Sequence, residues 1–344
     1  MKQIPSEVVD IVETQVGHPL SFTFAGWPHA GSFVWRTTDR SGRVLYAKVH
    51  TSDQQVDQLV GAYKQIVPHL TCNVPEILRI DHPSRLALCS AIPGIPVKVA
   101  ALESEEEEIA YRTAGAVART MHEIPVGTIQ SDDAGIRQVD TMRKAIDEAR
   151  GYVDDEVLAW AALIGTDPST FANEPIVHCH RDFSPRNWLV VPGDPAAGFG
   201  LIDFESARLD VRYADFWRMY ADDWKERPER RDWFFAGYGR TLSEMEEERF
   251  RLFVLRNLLT TVPWAVEFDD PQFAAWARAA IAEMVRNGQL TNRGDLTERD
   301  IASMVFLACT SEDMLAELRL RKSLDQPGDV AVTDRALAPL KNIE

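Results

Sequence analysis

Asp182, Asn187 and Asp203 are the residues whose types and spacing could do chemistry in this chain. They lie in His178-Cys179-His180-Arg181-Asp182-Phe183-Ser184-Pro185-Arg186-Asn187, which runs into the apolar Trp188-Leu189-Val190-Val191. After a turn rich in Pro and Gly comes Phe199-Gly200-Leu201-Ile202-Asp203-Phe204-Glu205. Two short apolar runs joined by such a turn predict a β-hairpin. Centred on residue 195, that hairpin sets Asn187 and Asp203 side by side at its open end. An amide oxygen and a carboxylate held together are hard donors of the kind Mg²⁺ takes, with waters and phosphates completing its shell. Asp182 leads into the same end, where a carboxylate can take the proton of an attacking hydroxyl. Each residue alone is an ordinary turn former. The combination H-x-D-x-x-x-x-N, an apolar strand and I-D-F is far more specific.

The chain of 344 residues carries a net charge of −16, which argues against nucleic acid or an anionic membrane as partner. Cys72, Cys89, Cys179 and Cys309 form no C-x-x-C pair, so neither a disulfide framework nor a thiolate zinc site is expected, and a reducing compartment is. Residues 1–16 hold Glu7, Asp10 and Glu13 where a signal peptide needs an apolar core, and no uncharged run approaches the length of a membrane span. A cytoplasmic protein is expected. His178 and His180 share one face of a strand, but no further ligands accompany them as a metal site would require. Acidic residues also gather in Ala221-Asp222-Asp223-Trp224 and in Trp264-Ala265-Val266-Glu267-Phe268-Asp269-Asp270. Beside aromatics they suggest a wall for ammonium groups, and the plainer alternative is solvated helix ends.

The elements that must position these residues divide the chain in two. Residues 32–37, 43–50, 77–81 and 86–90 read as strands, interrupted by an amphipathic helix over 52–67. Beyond residue 94 the pattern turns helical, over 105–122, 141–163, 242–261, 271–287 and 297–321. From Gln326 the chain is rich in Pro, Asp and Ala and is expected to be loosely held. The expectation is an α+β protein with a β-rich lobe over 1–90 and a larger, mainly helical lobe over 91–344.

His180-Arg181-Asp182 with Asn187, and then Ile202-Asp203-Phe204-Glu205, resembles the catalytic and metal loops of the protein-kinase-like fold. The nearer resemblance is to its small-molecule branch, the aminoglycoside phosphotransferase family, which is similar to choline and homoserine kinases. Val44-Leu45-Tyr46-Ala47-Lys48-Val49 resembles the strand with the phosphate-binding lysine, and Leu88-Cys89-Ser90-Ala91-Ile92-Pro93-Gly94 the hinge. Ala114 to Pro125 is similar to the family's helix ending in Leu-His-x-Leu-Pro, with Met121 for Leu.

The resemblance implies a bilobal protein-kinase-like fold. Asp182 would accept the acceptor's proton, Asn187 and Asp203 would hold Mg²⁺, and Lys48 would pair with the phosphates of ATP, or of GTP in its place. The backbone at Ser90 would meet adenine, while Asp215 and His180 would be structural. Three departures stand out. G-x-G-x-x-G is missing, leaving Gly31 and Ser32 as the phosphate-facing pair. The helix over 52–67 contains no Glu to partner Lys48, so Asp57 is the nearest candidate, ahead of Asp53 or Gln58. Arg181 stands where the small-molecule branch has glycine.

Only Ser206 to Ala214 separates Glu205 from Asp215, too short for a protein kinase's activation segment, and I-D-F-E is not D-F-G. The expected activity is ATP- and Mg²⁺-dependent phosphorylation of a small-molecule hydroxyl, foremost on an aminoglycoside or another sugar- or nucleoside-containing antibiotic. The alternatives are a metabolic kinase for choline, homoserine or a sugar, and a catalytically silent binding protein. A silent protein has no chemical need for Asp182, Asn187 and Asp203 together. Oligomeric state is not legible.

Overall fold

The computed structural model describes residues 3–17, 21–26, 32–127, 132–171, 173–194 and 197–286. Helix α1 (Ser6–Val16) precedes strands β1 (Phe22–Phe24), β2 (Ser32–Thr38) and β3 (Val44–His50). Helix α2 (Asp53–Gln65) then leads to β4 (Ile77–Asp81) and β5 (Leu86–Ser90). The five strands make one antiparallel sheet in the order β1-β2-β3-β5-β4. Strand alternation decides what each face carries. Leu45 and Ala47 of β3 pack with Leu86 and Leu88 against Val8 and Val12 of α1. Lys48 and His50, two residues apart on β3, are thereby turned to the opposite face.

A capping box starts α2: the Ser52 hydroxyl accepts the Gln55 N–H (3.3 Å), and the Gln55 side chain accepts the Ser52 N–H (3.3 Å). Its apolar side buries Val56, Leu59 and Ala62, and Tyr63 meets Phe204 edge-on at 5.9 Å. Leu59 and Ala62 belong to the same apolar cluster as the core of the following segment, so the two lobes share buried surface.

The larger lobe contains β6 (Ile95–Pro96), α3 (Ser104–His122), α4 (Asp132–Ala149), α5 (Asp155–Gly165), β7 (Ile176–Cys179), β8 (Trp188–Val190), β9 (Gly200–Leu201) and β10 (Arg208–Val211). After a π-helical turn at Met219–Asp223 come the single turn α6 (Trp224–Glu226), then α7 (Glu229–Tyr238), α8 (Glu244–Glu267) and α9 (Pro271–Arg286). Two small sheets, β6-β8-β9 and β10-β7, carry the loops of interest. Phe183, Trp188, Tyr213, Phe216, Phe234, Phe250 and Phe253 fill the core around them. Helices α3 and α7 cross at glycines. A Cβ on Gly115 would lie 2.0 Å from the Phe234 carbonyl, and one on Gly237 would lie 1.8 Å from that of Arg112.

The single helix expected over 141–163 is two, α4 and α5. Gly151 at φ 77° lies in the break, a left-handed position that ends a helix readily. Helix α1 and the short strands β1, β6 and β10 are additions to the sequence reading, the strands because two to four residues carry too little periodicity. The helix expected over 297–321 and the segment from Gln326 lie outside the described residues. No helix among the described residues is long and apolar enough to cross a membrane.

Candidate active site

The hairpin forms, with a shifted register. Trp188 pairs with Leu201 and Leu189 with Gly200, and the Ile202 N–H donates to the Asn187 carbonyl at 3.1 Å. Asn187 therefore faces Ile202, one residue short of the expected Asp203. In extended chain that slip would send the Asp203 side chain to the other face. Asp203 instead adopts a left-handed conformation, φ 75°, ψ 58°, which leaves the strand and redirects the carboxylate. Arg181 is left-handed too, at φ 66°. Such conformations in non-glycine residues persist where the surroundings impose them, and they cluster at functional loops.

Asp215 imposes the one at Arg181. Its buried carboxylate accepts the N–H of His180 (3.1 Å) and of Arg181 (2.5 Å), and His122 Nε2 lies 3.0 Å away. His122 is fixed in turn by the Tyr238 hydroxyl on α7, 2.9 Å from Nδ1. His180, wholly buried, accepts the Asp182 N–H at Nδ1 (3.3 Å) and so donates from Nε2 to the Ile202 carbonyl (3.0 Å). The Arg181 side chain pairs with Asp210 of β10 at 3.0 Å. That strand is paired antiparallel to β7.

Lys48 finds its acidic partners across the cleft and not on α2. Its ammonium contacts Asp203 and lies 2.8 Å from Glu205, and His50 Nδ1 lies 2.7 Å from the same Glu205 oxygen. Asp57 is exposed and Asp53 pairs with Arg85 at 2.6 Å, because the buried face of α2 is taken by Val56, Leu59 and Ala62. Burial alone would lower the Lys48 pKa, yet Asp203 and Glu205 hold it above the ordinary range. Burial would raise Glu205, but His50 and Lys48 bring it below the usual carboxylate value.

Asp182 sits between two arginines that the motif did not single out. Arg186 Nη2 donates to both carboxylate oxygens (2.6 and 2.5 Å), and Arg218 Nε lies 3.1 Å from Oδ1 with its guanidinium over the Trp217 ring. Burial opposes ionisation of Asp182, but Arg218 and Arg186 outweigh it and bring the pKa to about 2. The Asn187 amide N–H₂ donates to the Asp182 carbonyl (2.8 Å) and carboxylate (2.9 Å). Both amide protons are thus committed to Asp182, which turns Oδ1 of Asn187 the other way. The donor set suits a hard cation: this amide oxygen and the Asp203 carboxylate could hold Mg²⁺.

Sequence reasoning missed Glu205, His50, Arg186 and Arg218 as site members. Three had a local signal: His50 is two residues from Lys48 on one strand face, Glu205 two from Asp203, and Arg186 four from Asp182. Arg218 had none.

The other predicted positions are placed as follows. Ser32 opens β2 with its hydroxyl 3.4 Å from Glu205, whereas Gly31 lies outside the described residues. Ser90 ends β5, where its N–H donates to the Glu76 carbonyl and its hydroxyl accepts the Glu76 N–H, both at 2.9 Å. The expected acidic wall does not form around residues 221–224. Asp222 pairs with Lys98 (3.0 Å), and Asp223 is buried on Tyr111 and Arg230. Trp224 is buried in the core against Phe234 and Phe235. Glu267 ends α8 exposed, Asp269 follows in a left-handed turn, and Asp270 accepts the Phe273 N–H at the start of α9 (3.0 Å).

Compared with known proteins, residues 27–251 match the model of the phosphotransferase enzyme family. No match is found among curated protein sequences. Solved structures are similar in fold at low identity. The gentamicin complex of APH(2″)-IIa aligns at 12% identity and TM-score 0.62, covering 88% of this chain and 99% of that one. The GDP and kanamycin complex of APH(2″)-IIIa aligns at 14% and 0.65, covering 82% and 99%. A macrolide 2′-phosphotransferase of type I aligns at 13% and 0.59, covering 82% and 99%.

Proposed function

The chain belongs to the phosphotransferase enzyme family, and from that premise we propose that it is an ATP- and Mg²⁺-dependent O-phosphotransferase acting on a hydroxyl of a small molecule, foremost a sugar-containing antibiotic. The observation that carries this reading is the braced loop that presents Asp182 and Asn187 beside Asp203, itself paired with Lys48. The antibiotic class is supported by the likeness of the fold to proteins solved with gentamicin and with kanamycin, and to a macrolide phosphotransferase. Solved relatives with GDP, ADP and ATP support a purine nucleotide as donor. In this reading the lobe over 1–90 holds the nucleotide and that over 91–344 the acceptor.

Phosphoryl transfer asks little covalent chemistry of a protein and much positioning and charge neutralisation. Asn187 and Asp203 would hold Mg²⁺, which neutralises phosphate charge when bound. Lys48, kept cationic by its carboxylates, brings a fixed positive charge to the nucleotide phosphates. Asp182 stays ionised at neutral pH and accepts a hydrogen bond from the acceptor hydroxyl. A carboxylate this acidic is a weak base toward an alcohol in its ground state. It therefore works first by orientation, and takes the proton only as the new O–P bond makes the hydroxyl acidic.

The test is ADP release with MgATP over a panel of gentamicin, kanamycin, a macrolide, choline and homoserine, alongside Asp182→Asn. Turnover with an antibiotic that Asp182→Asn abolishes supports the reading. Turnover only with choline or homoserine assigns a metabolic kinase, and Mg²⁺-dependent nucleotide binding without turnover on any hydroxyl assigns a silent binding protein.

A further inference from the structure

Arg186 is one of two arginines on Asp182 to which the proposed transfer gives no task. It lies on the catalytic loop between the group that would take the proton, Asp182, and the adjacent metal-ligand candidate, Asn187. One nitrogen, Nη2, spans both Asp182 oxygens at 2.6 and 2.5 Å. Nε and Nη1 have no protein partner among the described residues. The side chain is 45% exposed.

Asp182 does not need Arg186 to stay in place. Asn187, in the loop anchored by Asp215, donates to it at 2.9 Å, and Arg218 approaches at 3.1 Å from just before the π-helical turn. Burial works against the charge of Arg186, while Asp182 and then, across the cleft, Asp203 and Glu205 support it. Arg218 approaches the same carboxylate from a separate segment, with its guanidinium over the Trp217 ring. Arg186 stands on the carboxylate that takes the proton in the proposed transfer and next to Asn187 in the chain. The transferring phosphoryl group carries its charge on three equatorial oxygens, and Lys48 is committed to the Asp203–Glu205 side.

We propose that Arg186 is a catalytic residue that leaves Asp182 when a nucleoside triphosphate binds and donates to the γ-phosphoryl oxygens through the transition state. The proposal rests on the kinase reading and goes beyond it. In the step, the acceptor oxygen forms a bond to the γ-phosphorus and the bond from that phosphorus to the β,γ-bridging oxygen breaks. The hydroxyl proton passes to the Asp182 oxygen that Arg186 has vacated and then to solvent, and the nucleoside diphosphate leaves.

The test needs no knowledge of the acceptor. Binding of MgADP and of MgADP with aluminium fluoride, which mimics the transferring phosphoryl group, is measured for wild type, Arg186→Gln and Arg186→Lys, together with slow MgATP hydrolysis by water. Arg186→Gln is expected to bind MgADP within about threefold of wild type. It should lose the tightening by aluminium fluoride and hydrolyse MgATP roughly 10³-fold more slowly, in line with other guanidiniums at transferring phosphoryl groups. Arg186→Lys should recover part of both, since a point charge replaces a fork. If Arg186→Gln forms the fluoride complex and hydrolyses MgATP like wild type, the proposal is overturned while the kinase reading stands. A variant that keeps the fluoride complex but hydrolyses MgATP slowly also overturns it, because Arg186 would then only position Asp182. Wild type that binds no MgADP overturns both.

Discussion

The two charged clusters of the cleft are built in opposite ways. Lys48 and His50 come from β3 and meet Asp203 and Glu205 from the other lobe, across 155 residues of chain in the case of Lys48 and Asp203. Asp182, Arg186, Asn187 and Arg218 all belong to the larger lobe, and local hydrogen bonds with one buried carboxylate, Asp215, hold their loop. The first cluster exists only while the lobes face each other. The second is a property of one lobe. Nucleotide affinity should therefore follow the first cluster and turnover the second.

Asp182→Asn is the largest expected separation of the two. It should lower kcat by about 10²–10⁴-fold, the usual worth of a positioned proton acceptor, while calorimetry finds MgATP binding near wild type. A loss of MgATP affinity as large as the loss of kcat would show that the clusters act as one. Asp203→Ala probes the other side: the Mg²⁺-dependent part of nucleotide binding should vanish, whereas Asn187→Ala should weaken it less, because only Asp203 brings a full charge. Titrations with and without Mg²⁺ check this, and normal binding in both variants would remove these residues from the metal assignment.

Gly115→Ala reaches the second cluster through its frame. A Cβ there presses on the Phe234 carbonyl, and overpacking of this kind costs about 1–3 kcal/mol, occasionally more. Since α3 carries His122 and α7 carries Tyr238, the same strain should disturb the Asp215 brace. A lowered Tm with a lowered kcat and an unchanged MgATP affinity is the expected set.

Glu246→Gln is the control that touches neither cluster. Its hydrogen bonds with Arg240 and the Ser243 N–H at the start of α8 outweigh burial and hold its pKa at about 2, below the ordinary 4.5. A carboxylate depressed in the folded state stabilises above its unfolded pKa and loses that contribution as pH falls toward the folded value. The variant should lose about 1 kcal/mol at pH 7, the scale of an N-terminal capping interaction, and the deficit should fade between pH 4.5 and about 2 with kcat unaffected. A pH-independent deficit would put the effect in packing instead.

Half of the eight residues in the two clusters were legible, chiefly because the loop carrying Asp182 and Asn187 is short-range. Asp182, Asn187 and the hairpin lie within one stretch, where spacing translates directly into geometry. The register was misjudged by one residue because nothing in an apolar run marks the left-handed turn at Asp203. The acidic cluster at Asp222 and Asp223 was misjudged for a different reason. Clustered Asp residues look alike on paper whether they are open or, like Asp223, buried on Tyr111 and Arg230.

By itself the sequence determined the order of lobes, the loop that carries Asp182 and Asn187 and the strand that carries Lys48. Helical and strand periodicity and loop spacing are properties of neighbours along the chain. Tertiary structure alone decided which acid meets Lys48, which arginines flank Asp182, and that Asp222 and Asp223 are already paired. A charged side chain takes whichever opposite charge burial leaves within reach. On α2 the apolar residues claim the inward face and exclude Asp57, and the lobe contact delivers Asp203 and Glu205 instead.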